Sequence, residues 1–289
     1  MVVATGFFDG VHTGHRKVLG QLVEAARARG GESMVITFWP HPRTVLQKDA
    51  RTLRLLSSLS EKTALIRSLG VDRVEVLDFS REFSALSCRD YLKDVVRDRF
   101  GADAILLGYD NRMGSDCCSP DQAAATAGEL GLEVIRCASI DDGGAAISST
   151  RIRKALEEGR VDDAARMLGR PYQLHGVVVA GNRLGRSIGF PTANMQLYEP
   201  LKQLPGNGVY LVDVHTLGRD FKGMCNIGVR PTVGENRTLT IETNIFDFDE
   251  DIYGLDISLD FIARIRGERR FSSLEDLSAQ LEKDKKFRL

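Results

Sequence analysis

Short apolar runs alternate with amphipathic stretches over the first half of the chain. Val2-Val3-Ala4-Thr5 precedes a helical pattern through Val18, Leu19, Leu22, Val23 and Ala26, and Met34-Val35-Ile36-Thr37-Phe38 follows. The alternation continues with Arg73-Val74-Glu75-Val76-Leu77, a helical stretch from Tyr91 to Phe100, Ala104-Ile105-Leu106-Leu107, a helix from Asp121, and Glu133-Val134-Ile135-Arg136-Cys137. Strand, helix, strand in repetition predicts a parallel sheet covered on both faces. Sheets of that kind take ligands beyond the carboxyl ends of their strands.

Two further helices are predicted, Thr150 to Glu158 and Val161 to Leu168, and the texture then changes at Gly169-Arg170-Pro171. Leu174 to Ala180, Gly208 to Val214, Gly223 to Ile227, Thr238 to Phe246 and Leu255 to Ile262 read as strands separated by Gly, Pro and Asn turns. Many short strands of this kind favour an antiparallel barrel or sandwich. A closing helix from Ser273 to Lys285 begins with a Ser-x-x-Asp cap and is expected to pack on it. Two domains are expected, 1–170 and 171–289, in line with a length of 289 residues.

Composition narrows the class. With 43% hydrophobic and 27% charged residues the chain is ordinarily globular. No window approaches the roughly 20 unbroken apolar residues of a membrane-spanning helix. The formal charge is -1 and basic residues are scattered among acidic ones, so neither nucleic acid nor a membrane is expected as a partner. Five cysteines, with no Cys-x-x-Cys, indicate neither a disulfide framework nor a thiolate zinc site, and free thiols fit a reducing compartment. No secretory signal is read at the start, and the location expected is the cytoplasm. Oligomeric state is left open.

Gly6-Phe7-Phe8-Asp9-Gly10-Val11-His12-Thr13-Gly14-His15 follows the first strand and opens a helix. Helix starts present unpaired N–H groups and a positive dipole end, which suits phosphate oxygens, and Gly10 and Gly14 let a ligand approach the backbone. His12 and His15 are three apart, so on a helix they share one face and can both donate to one phosphate chain. Ile147-Ser148-Ser149-Thr150-Arg151-Ile152-Arg153 again joins hydroxyls, a helix start and guanidinium groups, a second polyphosphate grip. Ser-Ser-Thr is also a good helix cap. Metal binding by the two histidines lacks a clear third ligand.

In the second half Gly181 to Ser187 has the wrong spacing for a P-loop and no lysine. Gly-Phe-Pro-Thr-Ala-Asn, ending at Asn194, places Thr192 and Asn194 two apart, so on an extended backbone they face the same way. Magnesium favours such hard oxygens and often takes only one or two from protein. Glu242 is the carboxylate chosen to accept a proton from an attacking alcohol, although an alternating strand often carries an outward Glu.

Gly6 to His15, with Ile147 to Arg153, resembles the HxGH-type nucleotidylyltransferases. Its spelling, with Thr37-Phe38-x-Pro40-His41-Pro42, is similar to the FMN adenylyltransferase module of the bacterial bifunctional riboflavin kinase/FAD synthetases. Gly176 to Asn194, Asn226 to Thr232, Glu242 to Gly254 and Arg266 to Phe271 resemble the riboflavin kinase domain of the same family. The resemblance implies a doubly wound α/β domain followed by a six-stranded antiparallel Greek-key barrel. It implies phosphorylation of riboflavin to FMN, then adenylylation of FMN to FAD with release of pyrophosphate, with ATP as co-substrate and Mg²⁺ as cofactor. By the same likeness ATP is held at Gly6, Phe8, Asp9, His12, Gly14, His15, Ser149, Thr150 and Arg153, with His12, His15 and Arg153 active in transfer. Thr192 and Asn194 carry the metal, Glu242 is the base, and flavin is met at Pro40, Asp110, Arg266 and Phe271. The stretch from Gly108 to Cys118 departs from the family in lacking two aromatics and the basic residues after them, and Asn244 stands where many relatives have His. The chain begins five residues before the motif, where relatives commonly carry a longer leader, so the first strand is expected to be cut short. The alternative reading is a riboflavin kinase whose first domain binds ATP or regulates without chemistry.

Overall fold

The computed structural model describes residues 1–46, 52–108, 112–137, 147–181, 185, 188–231 and 237–287. They form two compact units, Met1–Ser149 and Thr150–Leu289. In the first, β1 (Val2–Thr5), β2 (Ser33–Trp39), β3 (Arg73–Asp78), β4 (Ala104–Leu107) and β5 (Glu133–Arg136) make a parallel sheet in the order β3-β2-β1-β4-β5. The apolar runs are unbroken because both faces are covered. Val3, Ile36 and Ile105 point into one core with Leu92 and Val96, while Val2, Val35 and Leu106 point into the other with Leu19 and Leu22 of α1 (Thr13–Ala28). Each such side chain contributes about 1.5–3 kcal/mol of hydrophobic stabilisation. β1 is four residues long and buried throughout.

The chain runs outward from β1 to β3 and then returns to β4 on the other side of β1, so the order reverses beside the carboxyl end of β1. That is where an open α/β sheet binds its ligand. Between β2 and β3 lie α2 (Pro42–Leu46) and α3 (Leu59–Ser68), neither of which the hydrophobic pattern predicts. A capping box starts α3: the Glu61 N–H donates to Ser58 Oγ at 3.2 Å and the Ser58 N–H to Glu61 Oε2 at 2.6 Å. After α4 (Arg81–Ser84) and α5 (Cys88–Asp90), the helix expected around Tyr91 is π-helical over Tyr91–Arg99. α6 (Pro120–Glu129) precedes β5.

The second unit opens with α7, which begins on the last residue of the first unit (Ser149–Glu157), and α8 (Val161–Leu168). These helices cluster with the barrel, so the contact boundary falls some way before the change in texture near residue 170. The reason is their buried faces, Ile152, Leu156, Val161 and Leu168, and the bonds that join them to the barrel. Arg264 donates to the Glu158 carbonyl at 3.2 Å, and the Gly206 N–H to that of Leu156 at 2.8 Å.

β6 (Tyr172–Val179), β7 (Ala193–Leu197), β8 (Gly208–Thr216), β9 (Arg219–Pro231), β10 (Arg237–Ile245) and β11 (Asp256–Arg266) close into an antiparallel barrel in the order β10-β7-β6-β11-β8-β9. Buried and half-buried positions alternate along β6 and β8, as strands with one face inward require. β7 escapes the pattern because Met195 alone among its residues is buried. The closing helix α9 (Leu274–Lys285) starts at Ser273, whose Oγ accepts the Asp276 N–H at 3.1 Å.

Candidate active sites

The turn after β1 is bent hard. Phe8 has φ 53°, Gly10 77° and Val11 41°, the last unfavourable for a β-branched residue. Asp9 holds it there. Its carboxylate accepts the Leu56 N–H at 3.0 Å and the Ser57 N–H at 3.1 Å, while the Gly10 N–H donates to Ser57 Oγ at 3.0 Å. Ser149 Oγ donates to the Asp9 carbonyl at 3.1 Å, joining the second predicted phosphate motif to the first.

His12 is the N-cap of α1: its Nδ1 accepts the His15 N–H at 3.3 Å. A neutral ring with Nδ1 so engaged carries its proton on Nε2, which makes His12 a donor toward the site. Burial pushes the ring's pKa down to about 4, against the opposing charge of Asp9. His15 stacks on it with centroids 3.6 Å apart at 16°, and burial, then His12 itself, holds its pKa well below the usual range. The Phe8 ring meets His15 edge-on at 5.2 Å. Gly14 leaves room for the pair, since a Cβ there would stand 3.2 Å from His12 Cε1 and Nδ1. His15 Nδ1 and Arg16 Nε are buried with no hydrogen-bond partner among the described residues. Two neutral imidazoles at a helix start make fixed donors for a phosphate chain.

A cavity of about 510 Å³ opens beside Gly6, over the ends of β1 and β2. Phe7, Phe38, Phe79, Phe83 and Tyr91 line it, with Arg112 as its charged member. The Tyr91 hydroxyl is 2.7 Å from Thr5 Oγ1, which ties the π-helical stretch to the end of β1. The cavity suits a flat aromatic ligand carrying an anionic tail. Pro42, not Pro40, is the proline in its wall. Asp110 lies outside the described residues.

In the barrel, strand register does the assembling. Glu242 on β10 is directly opposite Asn194 on β7 and Asn226 on β9, so the three form one row. The amide of Asn194 rests against Gly181, where a Cβ would come within 2.2 Å of its Nδ2. Asn244 Nδ2 donates to the Pro191 carbonyl at 2.7 Å and so fixes the peptide that precedes Thr192. Thr192 lines a cavity of about 280 Å³, faced by the acidic run Asp249 to Asp251. Arg266 is engaged by Asp284 of α9, with contacts at 2.8–3.1 Å, and its guanidinium lies 5.6 Å from the Phe271 ring centroid.

His12 with His15, and Asn194 with Glu242, are therefore brought together as the motifs suggest. Thr150 and Arg153 lie on α7 within the second unit. Lys62 and Arg16 carried no signal in the sequence; Asn226 stood in the Asn-Ile-Gly-Val-Arg-Pro run, and Asn244 only as a departure from the family.

Stacked imidazoles at the switch point of an α/β sheet, in one chain with a barrel whose register aligns Asn194, Glu242 and Asn226, fit a transferase with two sites. Residues 1–151 match the FAD synthetase family and residues 168–288 the riboflavin kinase family. The bifunctional riboflavin kinase/FMN adenylyltransferase of Bacillus subtilis is 36% identical over 98% of this chain and 90% of its own length. That of Escherichia coli K12 is 37% identical with the same coverage. The crystal structure of a Streptococcus pneumoniae protein described as a macrolide-efflux protein superimposes with a TM-score of 0.90 at 34% identity, covering 98% of this chain and 92% of that one. Among the described residues no helix is long and apolar enough to cross a membrane. The chain belongs to the bifunctional riboflavin kinase/FMN adenylyltransferase family.

Proposed function

We propose that this chain phosphorylates riboflavin at its barrel, residues 171–289, and adenylylates the resulting FMN at its α/β region, residues 1–170, consuming two ATP in sequence. At the barrel Glu242 takes the proton of the ribityl 5′-hydroxyl as that oxygen attacks the γ-phosphorus, and ADP leaves. Thr192 and Asn194 offer hard oxygens, the second seated against Gly181, a donor set that fits magnesium. When bound, the ion supplies charge neutralisation at the phosphates. Phe271, stacked on Arg266, is the barrel's platform for the flavin ring; Arg266 acts through that stack because Asp284 holds its charge.

At the other site the FMN phosphate attacks the α-phosphorus of the second ATP and pyrophosphate departs. His12, through Nε2–H, and His15 donate to the oxygens on which charge accumulates. Gly6, Phe8, Asp9 and Gly14 shape the turn that presents them, and Ser149, bonded to the Asp9 carbonyl, grips the departing phosphates. Pro40 and Asp110 complete the flavin contacts. A reducing, cytoplasmic setting fits the five free thiols. What favours two activities over a kinase alone is the stack of His12, buried, on His15, half-buried, both held neutral, since holding ATP alone does not require the pair.

Chromatography of reactions containing riboflavin, FMN and Mg-ATP tests the assignment. His15→Ala is expected to lower FAD formation by about 10²–10³-fold while FMN formation continues. Glu242→Ala is expected to stop FMN formation and leave FAD synthesis from supplied FMN intact. Loss of both activities from either change in a folded protein would end the two-site assignment.

A further inference from the structure

Lys62 is 1% exposed, on the buried side of α3. Its ammonium stands 3.7 Å from the centroid of the Phe7 ring and 6.0 Å from that of Trp39, and it donates to the Phe38 carbonyl at 3.2 Å. Phe7 comes from the turn after β1 and Phe38 from the end of β2, and both are walls of the 510 Å³ cavity. A buried ammonium is unfavourable unless something local needs it. Burial brings this amine's pKa to about 8, and Asp9 opposes the shift. Around α3 the charged groups are Asp9 of the turn, Arg73, Glu75 and Asp78 of β3, and Glu61 and Arg67 of α3 itself. Asp9 is the one whose field bears on the amine, and Glu61 is engaged in the capping box. His41 faces the same assembly, its ring 4.1 Å from that of Phe7.

We propose that Lys62 is the positioning residue of the FMN pocket: its ammonium fastens the Phe7 ring to the end of β2, fixing two aromatic walls against which the isoalloxazine ring is held. A cation over the Phe7 ring polarises it and resists its rotation, whereas an apolar side chain of the same length would only fill space. Lys62 acts through Phe7 and Phe38 and leaves the histidines and the phosphates to the chemistry. The inference rests on the reading of this cavity as the flavin site.

The test uses the full chain, with FMN and Mg-ATP as substrates and riboflavin phosphorylation in the same preparation as the control for the rest of the molecule. Lys62→Met is expected to raise KM for FMN about tenfold, the size of one desolvated cation–π contact, with kcat changed less than about threefold. Lys62→Arg keeps the cation and is expected to restore KM to within about threefold. In the unaltered protein KM for FMN should rise as pH passes about 8, and in Lys62→Met that rise should be absent. If Lys62→Met does not fold, Lys62→Gln is read the same way. Ser84→Trp, which fills the cavity from a wall residue that makes no hydrogen bond with Lys62, separates the two readings. A raised KM for FMN in Ser84→Trp beside an unchanged value and pH profile in Lys62→Met overturns the role of the lysine and keeps the pocket. No effect from either variant overturns both. A raised KM in Lys62→Met with no rescue by arginine, and with the alkaline rise intact, reduces the lysine to a space-filling part and also overturns the proposal.

Discussion

The amide of Asn194 lies where any side chain at position 181 has to be, with a Cβ there only 2.2 Å from Nδ2. Gly181→Ala is therefore expected to push the amide out of the row it shares with Glu242 and to slow FMN formation on the order of 10²-fold, the scale of a misplacement near 1 Å. FAD synthesis from supplied FMN, assayed in parallel, should not change. The pairs His12 with His15 and Thr192 with Asn194 were readable in sequence because the spacing of each implies a shared face, whereas the place of Glu242 opposite Asn194 comes from strand register. Asn244 was marked only as a departure from the family, and its role was hidden: its hold on the Pro191 carbonyl joins residues 53 positions apart. The part played by Asp9 was hidden in the same way, for its carboxylate is satisfied by N–H groups 47 and 48 residues away.

Among the elements, those with clean periodicity were readable, such as β4 with every residue buried and β11 with alternate ones. α3 was not, because its buried face pairs Ile66 with Lys62 and so breaks the expected apolar stripe. β7 was missed for lack of buried residues, and the π-helical widening at Tyr91 has no signature in hydrophobic spacing. α9 is held by Leu281, packed on Phe190, Val209 and Met224, and by a buried ion pair, Arg266 with Asp284, whose side chains are 12% and 2% exposed. Removing one partner of a buried pair leaves the other charge uncompensated, at about 3–5 kcal/mol. Asp284→Ala is expected to lower the urea concentration at which riboflavin phosphorylation is lost, while an exposed pair such as Arg136–Asp121 should tolerate the same treatment with little change.

For the molecule as a whole, the split into a parallel sheet and an antiparallel barrel was legible from the change of texture, but the side to which α7 and α8 belong was not, since amphipathic helices do not announce what they cover. The two units also differ in their response to acid. His12 titrates near 4 when folded and near 6.5 when unfolded, so below pH 6.5 the unfolded chain takes up a proton that the folded one refuses. Stability is complete above pH 6.5 and lost as pH falls through 4, by about 3 kcal/mol for this ring, and His15 is shifted the same way. Thermal inactivation of FAD synthesis should therefore move to lower temperature between pH 7 and 5 more than that of the kinase. His12→Asn, which keeps a capping acceptor but also removes a catalytic donor, is followed by urea unfolding instead, and should lose less stability between pH 7 and 5 than the unaltered protein. The cap bond carries this further: a proton arriving on Nδ1 of His12 converts the acceptor that begins α1 into a second donor facing the His15 amide. Acid thus unwinds the first turn of that helix at the same instant that it alters the imidazole, and a partly protonated population would show up as amide exchange at Thr13 to Arg16 before any change in the sheet beneath.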